Sequence, residues 1–425
     1  MAGSGDFDPG KTIQTPEPKL MKNLLHFKEE LSRRVLPLQS EALQTDACHR
    51  TGLTDFGDPP LEPALSVLMD SLEHEADLSP LGRFLIRGHL RELLETRLRL
   101  TEEWKHAKEF EQAPISRPVF ITGMPRSGST FLHELLAADP ENRAPRVWEA
   151  MFPIRARGTQ KGRSDPRVMK AAARLWWFRR LAPGADSVHP LRASTPQECV
   201  AIQSYTLLSE EFVVTCNVPS YEAFLHSSDL TPAYSWQRRF MQYLQSPDPQ
   251  TRWVLKSPDH VYGLEELFAV FPDALVIQTH RDPLKVLRSS TELIEVLQGL
   301  FARRVDAARV ARREARVMAD AIDRSTRFRD THPELAHRFI DVRYAELVAD
   351  PLAVVHQIYH QLNIDLSERA ADRMRQLAAG RSRYPKRFGS RTLAQLGLDA
   401  LAEARRFERY CFRFGVGEQE SAFTQ

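Results

Sequence analysis

Arg117-Pro118-Val119-Phe120-Ile121-Thr122-Gly123-Met124-Pro125-Arg126-Ser127-Gly128-Ser129-Thr130-Phe131-Leu132-His133-Glu134-Leu135-Leu136 reads as a strand, a loop and a helix in succession. Residues 117–122 are a short apolar run that ends in glycine punctuation, the mark of a buried strand. From Phe131 the apolar residues continue as a helix. Gly123 to Thr130 has the length and position of a phosphate-cradling loop. Backbone N–H groups in such a turn, with the helix N-terminus behind them, hold an oxyanion without a counter-charge on every oxygen. Gly128 allows close backbone approach, and Ser127, Ser129 and Thr130 add hydroxyl donors. The plain alternative is a Gly/Ser turn joining strand to helix.

Further buried strands are expected at 252–255, 274–279 and 338–342, separated by helices at 262–270, 284–298, 303–328 and 351–362. Alternating strand and helix implies an α/β fold, a P-loop-type three-layer α/β/α arrangement with a central parallel sheet. An N-terminal helical region is expected at 21–112, with Ser79-Pro80 as N-cap and first helical residue of its last helix. Residues 1–20 are small, polar and carry prolines at 9, 16 and 18, so they read as a flexible tail. The remaining domain, 113–425, contains a helical insertion at 150–250. That insertion is rich in aromatics, including Trp176, Trp177, Tyr205, Phe212, Tyr221, Tyr234 and Trp236. Such content suits an apolar acceptor pocket, or ordinary core.

The chain has 425 residues, 42% of them hydrophobic and 27% charged, which excludes a largely disordered protein. A net charge of +2 is too balanced to indicate nucleic-acid binding. No apolar run approaches membrane-spanning length, and the N-terminus lacks the pattern of a secretory signal. Cys48, Cys199, Cys216 and Cys411 form no CxxC pair, so neither a zinc site nor a disulfide framework is expected, and the cytoplasm is the default compartment. The six arginines from Arg303 to Arg316 read as a solvated helical face, with an acceptor or partner surface as the alternative.

The loop departs from the nucleoside triphosphatase pattern. Ser129 stands where that pattern has lysine, and the cation comes three residues earlier as Arg126. A triphosphate with Mg²⁺ wants the lysine. An arginine before Ser-Gly suits one diphosphate-like bridge without a metal.

Pro125-Arg126-Ser127-Gly128-Ser129-Thr130, followed by Phe131-Leu132-His133, resembles the 5′-phosphosulfate loop of sulfotransferases that use 3′-phosphoadenosine 5′-phosphosulfate (PAPS). The likeness is to the bacterial branch, which has arginine where cytosolic animal enzymes have lysine. His280-Arg281-Asp282-Pro283, with Ser289 eight residues after Arg281, is similar to the family's 3′-phosphate element. Lys256-Ser257-Pro258-Asp259-His260 is similar to its KSPxH segment. Tyr344-Ala345-Glu346-Leu347 is similar to the segment whose tyrosine lies near adenine. The resemblance runs from about residue 50 to the C-terminus.

What the resemblance implies is in-line sulfuryl transfer from PAPS to a hydroxyl, or an amine, of a small and partly apolar acceptor. PAP, adenosine 3′,5′-bisphosphate, is the product, and no metal is required. Gly123, Pro125 and the residues from Arg126 to Thr130 would bind the 5′-phosphosulfate, with Arg126 at the bridge oxygen. Arg281 and Ser289 would grip the 3′-phosphate, and Phe131 and Tyr344 would lie along adenine. Arg383, Lys386 and Arg387 would close over the 3′-phosphate as a basic loop. Lys256 would share the charge of transfer or position the acceptor. The base that takes the acceptor's proton is His189, His260 or Glu198, in that order of expectation. Two rival readings are a metal-dependent P-loop kinase acting on a small molecule and a non-catalytic protein that binds PAP or another nucleotide.

Overall fold

Five strands form one parallel sheet in the order β2-β3-β1-β4-β5. The computed structural model describes residues 34–155, 165–181, 192–245, 252–380 and 389–417. The strands are Val119–Gly123 (β1), Asn142–Arg143 (β2), Arg252–Lys256 (β3), Leu275–His280 (β4) and Phe339–Arg343 (β5). Phe120 is level with Leu255 on one side and Val276 on the other. Every residue of β1 and β4 is buried, which is why both are unbroken apolar-rich runs. At the sheet edge β5 alternates, with Ile340 and Val342 inward and Asp341 and Arg343 exposed. The two-residue β2 has no apolar run to announce it and exists by pairing with Arg252 and Trp253.

Helices α1 (Ser40–Thr51), α2 (Ala64–His74) and α3 (Pro80–His106) precede the sheet. Ser79 caps α3, its side chain accepting from the Gly82 amide at 2.9 Å, with Pro80 as first helical residue. After β1 come α4 (Ser129–Leu136), α5 (Pro166–Leu181), α6 (Pro219–Ser227) and α7 (Thr231–Gln245). β3 and β4 are joined through α8 (Leu264–Val270), and β4 and β5 through α9 (Pro283–Gly299) and α10 (Ala307–Thr331). Beyond β5 lie α11 (Pro351–Leu362), α12 (Glu368–Gly380) and α13 (Ala400–Phe414).

Successive β1 side chains alternate between two cores, as the pleat requires. Phe120 joins Leu65, Leu90, Trp104, Trp236 and Phe240, so the N-terminal helices and the segment before β3 share one interior. Val119 and Ile121 face the other way, with Phe131, Ile277, Val355 and Ile358. A third cluster joins Val286 and Leu287 of α9 to Met318 and Phe407. Tyr205, Phe212, Tyr221, Tyr234 and Trp236 are all 3% exposed or less, so the aromatic richness of this stretch is mainly core. Trp176 and Trp177 on α5 are the exceptions, at 47% and 60% exposed. Among the described residues no helix is long and apolar enough to cross a membrane.

Arg97 of α3 is fully buried and ties the two helical segments together. Its guanidinium donates to the carbonyls of Phe56 at 2.8 Å, Tyr205 at 2.8 Å and Gly57 at 3.0 Å, and also to that of Pro59. Burial lowers its pKa to about 10, so it stays charged at neutral pH, with Asp58 and Asp55 as its nearest counter-charges. Arg97→Met leaves those carbonyls without their donor. Urea unfolding should show a loss of about 3 kcal/mol.

Candidate active site

β1 ends at Gly123 in a backbone conformation suited to glycine, with φ of 127°. A Cβ there would stand 2.4 Å from the Thr279 carbonyl oxygen, so β4 packs too closely for any side chain. The chain then turns through Arg126, at φ 66°, and Gly128, at φ 93°, before α4 begins at Ser129. A Cβ on Gly128 would lie 3.0 Å from the Tyr344 ring. The Ser127 amide donates to the Met124 carbonyl at 3.2 Å, and the Ser127 hydroxyl lies 2.6 Å from Thr279 Oγ1. Ser127 is fully buried, so its hydroxyl shapes the loop from beneath. Ser129 is buried, while Thr130 is half-buried.

Two cationic flanks stand beside this loop. On the β3 side, Lys256 ends its strand with its side chain only 3% exposed. Its ammonium donates to Thr130 Oγ1 at 3.2 Å and to the Glu198 carboxylate. The Cys199 amide donates to the Lys256 carbonyl at 2.8 Å, which fixes Glu198 at the strand end. On the β4 side, Asp282 caps α9, accepting from the Leu284 amide at 2.8 Å, and Pro283 opens the helix. That turn brings Arg281 back over the loop, where Nη1 donates to the Arg126 carbonyl at 2.7 Å. The Arg281 guanidinium lies 4.0 Å from the centre of the Tyr344 ring. Arg126 is exposed, and its Nε donates to Ser289 Oγ at 3.2 Å.

The three expected bases part company. His189 lies outside the described residues. His260 is 1% exposed, with Nδ1 2.9 Å from the Tyr234 hydroxyl and its ring edge-on to Phe120 at 5.1 Å. Burial, and then Lys256, push its pKa down to about 3, so the ring is neutral. Glu198 is the half-buried carboxylate that reaches Lys256 beside the loop. Phe131, expected along adenine, is instead 4% exposed and packed in the sheet core. Its apolar ring follows the inward face of α4, as Leu132 and Leu135 do. His133 is likewise a core residue, its Nε2 3.2 Å from the Val254 carbonyl.

Arg383, Lys386 and Arg387 also lie outside the described residues. The chain beyond them is held against α9 by a device that sequence reasoning missed. Glu292 accepts from the amides of Gly389 at 2.6 Å and Arg391 at 2.9 Å. Arg288 donates to the carbonyls of Gly389 and Arg391, each at 2.6 Å. A Cβ on Gly389 would be 3.7 Å from the Ser289 Cβ, so this segment passes directly beside Ser289. Burial pushes the Glu292 carboxyl up, but the amides of Arg391, Gly389 and Ser390 outweigh it and hold the group below the usual carboxylate range. No local pattern marks Glu292 for this role. Only its spacing from Ser289, about one helical turn, hints that the two share a face. Among the described residues no three His, Cys, Asp or Glu side chains gather as a metal-holding group.

The loop and its flanks lie at the centre of a parallel sheet, at the carboxyl ends of the strands, an arrangement able to cradle an anion. A lysine–carboxylate pair stands on one side and two arginines on the other. Comparison with known proteins agrees with the chemistry this suggests. The pattern of the sulfotransferase family matches residues 118–368. Omega-hydroxy-beta-dihydromenaquinone-9 sulfotransferase Stf3 of Mycobacterium bovis is 26% identical over 285 residues, which is 63% of this chain and 68% of that protein. The crystal structure of sulfotransferase STF1 from Mycobacterium tuberculosis superposes with a TM-score of 0.76 at 32% identity, covering 86% of this chain and 97% of its own. That of STF9 from Mycobacterium avium gives 0.81 at 27% identity, with 89% and 97% covered. With this cradle at its centre, and with well over half its length following the family pattern, the chain belongs to the sulfotransferase family.

Proposed function

We propose that the protein transfers a sulfuryl group from PAPS to a hydroxyl, or an amine, of a small and partly apolar acceptor. The observation that carries this reading is the pair of cationic flanks on one loop, Lys256 with Glu198 and Arg126 with Arg281 and Ser289. The loop amides and the start of α4 hold the 5′-phosphosulfate. Arg281 and Ser289 hold the 3′-phosphate, and Tyr344 stands beside them for the adenosine. Arg126, donating to Ser289, links the two phosphate positions and neutralises the bridge oxygen as the S–O bond breaks. The described Gly389–Arg391 segment passes beside Ser289, and the sequence resemblance would assign Arg383, Lys386 and Arg387 to the 3′-phosphate as well. Lys256 supplies positive charge at the transferring group. Glu198 takes the acceptor's proton as the new O–S bond forms in line with the leaving oxygen.

Two measurements test the donor. Calorimetry should show PAP uptake by the purified protein, and radiolabelled PAPS should pass its sulfate to an acceptor in fractionated cell extract. PAP binding without transfer would favour the non-catalytic reading. Turnover of ATP with Mg²⁺ and none of PAPS would establish a kinase.

Glu292→Ala tests the seat of the Gly389–Arg391 segment beside Ser289. Freeing the Gly389–Arg391 amides should raise KM for PAPS about tenfold and leave kcat little changed. The Glu292 carboxyl is held below its unfolded value, so its contribution is present above the ordinary carboxylate range. The contribution is lost as pH falls through the lower folded value. Donor affinity should therefore weaken on acidification in the native protein and respond less in the variant.

A further inference from the structure

Arg309, Arg312, Arg313 and Arg316 line one side of a cavity of about 410 Å³ at the start of α10. Spaced three and four apart, they share a helix face. Val213, Val218 and Pro219 lie across from them, and Gln298 from the last turn of α9 contributes as well. Glu222 is the one carboxylate on this lining among the described residues, and it is already engaged. Its Oε1 accepts from Arg313 Nε at 3.0 Å, and its Oε2 lies 3.7 Å from Arg316. Arg313 also pairs with the buried Glu314. Asp306 faces the same arginines but caps α10, accepting from the Ala308 and Arg309 amides at 3.0 and 3.1 Å.

Arg309 and Arg312 are different. Among the described residues their guanidinium groups have no hydrogen-bond or ion-pair partner. Arg309 is also half-buried. A guanidinium drawn partly out of water beside apolar walls is stabilised by an anion brought to it. The N-terminal end of α10 adds positive potential from the same direction. A second arginine cluster, which includes Arg327, is more fully paired. Around a cavity of about 310 Å³, Arg409 and Arg413 share Asp330. Arg406 there pairs with Glu403 at 3.0 Å. In the α10 cluster Arg313 and Arg316 are paired in this way and Arg309 and Arg312 are not.

The cavity is distinct from the donor loop. Gln298 follows Ser289 by nine residues on α9, a separation of roughly 13 Å along the helix. We propose that this cavity is a second anion site, taking a small organic anion whose apolar part lies against Val213, Val218 and Val310. It does not depend on the donor reading.

Calorimetry with octyl phosphate below its micelle concentration tests it, on the full chain saturated with PAP. Binding is expected, weakening with added salt, and 1-octanol should bind far less. Arg309→Ala/Arg312→Ala should weaken octyl phosphate about tenfold or more. Because neither side chain holds a described intramolecular bond, the thermal midpoint should be unchanged, which separates lost binding from lost fold. Arg409→Ala/Arg413→Ala should bind as the native chain does. Octyl phosphate that binds the double Arg309/Arg312 variant as tightly as the native protein would overturn the proposal. So would a native protein that binds it only when PAP is absent, since the probe would then sit in the loop. If PAP itself fails to bind but the Arg309/Arg312 dependence holds, the donor reading falls and the second site stands.

Discussion

Lys256→Met is expected to lower kcat by about 10²- to 10³-fold while PAP affinity and fold are kept. Methionine preserves most of the side chain's volume and removes only the charge. The ammonium it removes sits at the end of β3, almost wholly out of water, with Thr130 Oγ1 at 3.2 Å. In such surroundings a fixed cation acts on developing negative charge with little screening. The residues proposed for the 3′-phosphate, Arg281 and Ser289, lie on the other flank, so donor binding should hardly respond. One alternative cause of a loss is the Glu198 carboxylate left without its partner. Lys256→Met/Glu198→Gln separates the two. Recovery in the double variant would mean that the lysine only neutralises the glutamate, and unchanged turnover in the single variant would remove it from the chemistry.

The parts of this site that were legible in the sequence are those built from contiguous residues. β1, the loop and α4 follow one another, and each announces itself by apolar continuity, glycine placement or helical spacing. β3 and β4 were legible for the same reason, since strands covered on both faces need apolar runs, whereas β5, expected as a buried strand, alternates between buried and exposed residues at the sheet edge. What was not legible depends on distant partners. His260 looks like a base by its place after Lys256, but Tyr234 and Phe120 enclose it from elsewhere in the chain. Phe131 looks like a stacking ring by its place after the loop, but the helical period turns it into the core. Glu292 carries no local signal, because its partners are backbone amides about 100 residues away, Gly389 being 97 residues on. The arginines of α10 were visible as a charge run, while the cavity beside them depends on the segment from Val213 to Pro219 and the end of α9.

Glu198→Gln should be nearly as damaging as the lysine change or more so, with kcat down by about 10²- to 10⁴-fold and KM for PAPS little moved. A base must be ionised to accept the acceptor's proton. The native enzyme should therefore lose kcat/KM on acidification. The glutamine variant should lose this acid limb along with the rate, which a merely structural role would not produce. The Lys256 side chain still finds an acceptor in the amide oxygen of glutamine, so its position is kept. His260 provides the contrast. Burial holds its pKa near 3 and Tyr234 occupies Nδ1, so His260→Gln should reduce stability while the pH profile keeps its shape. If Glu198→Gln instead retains both turnover and the acid limb, the carboxylate serves Lys256 alone. The proton then goes elsewhere, and His189→Ala becomes the variant that must abolish the limb.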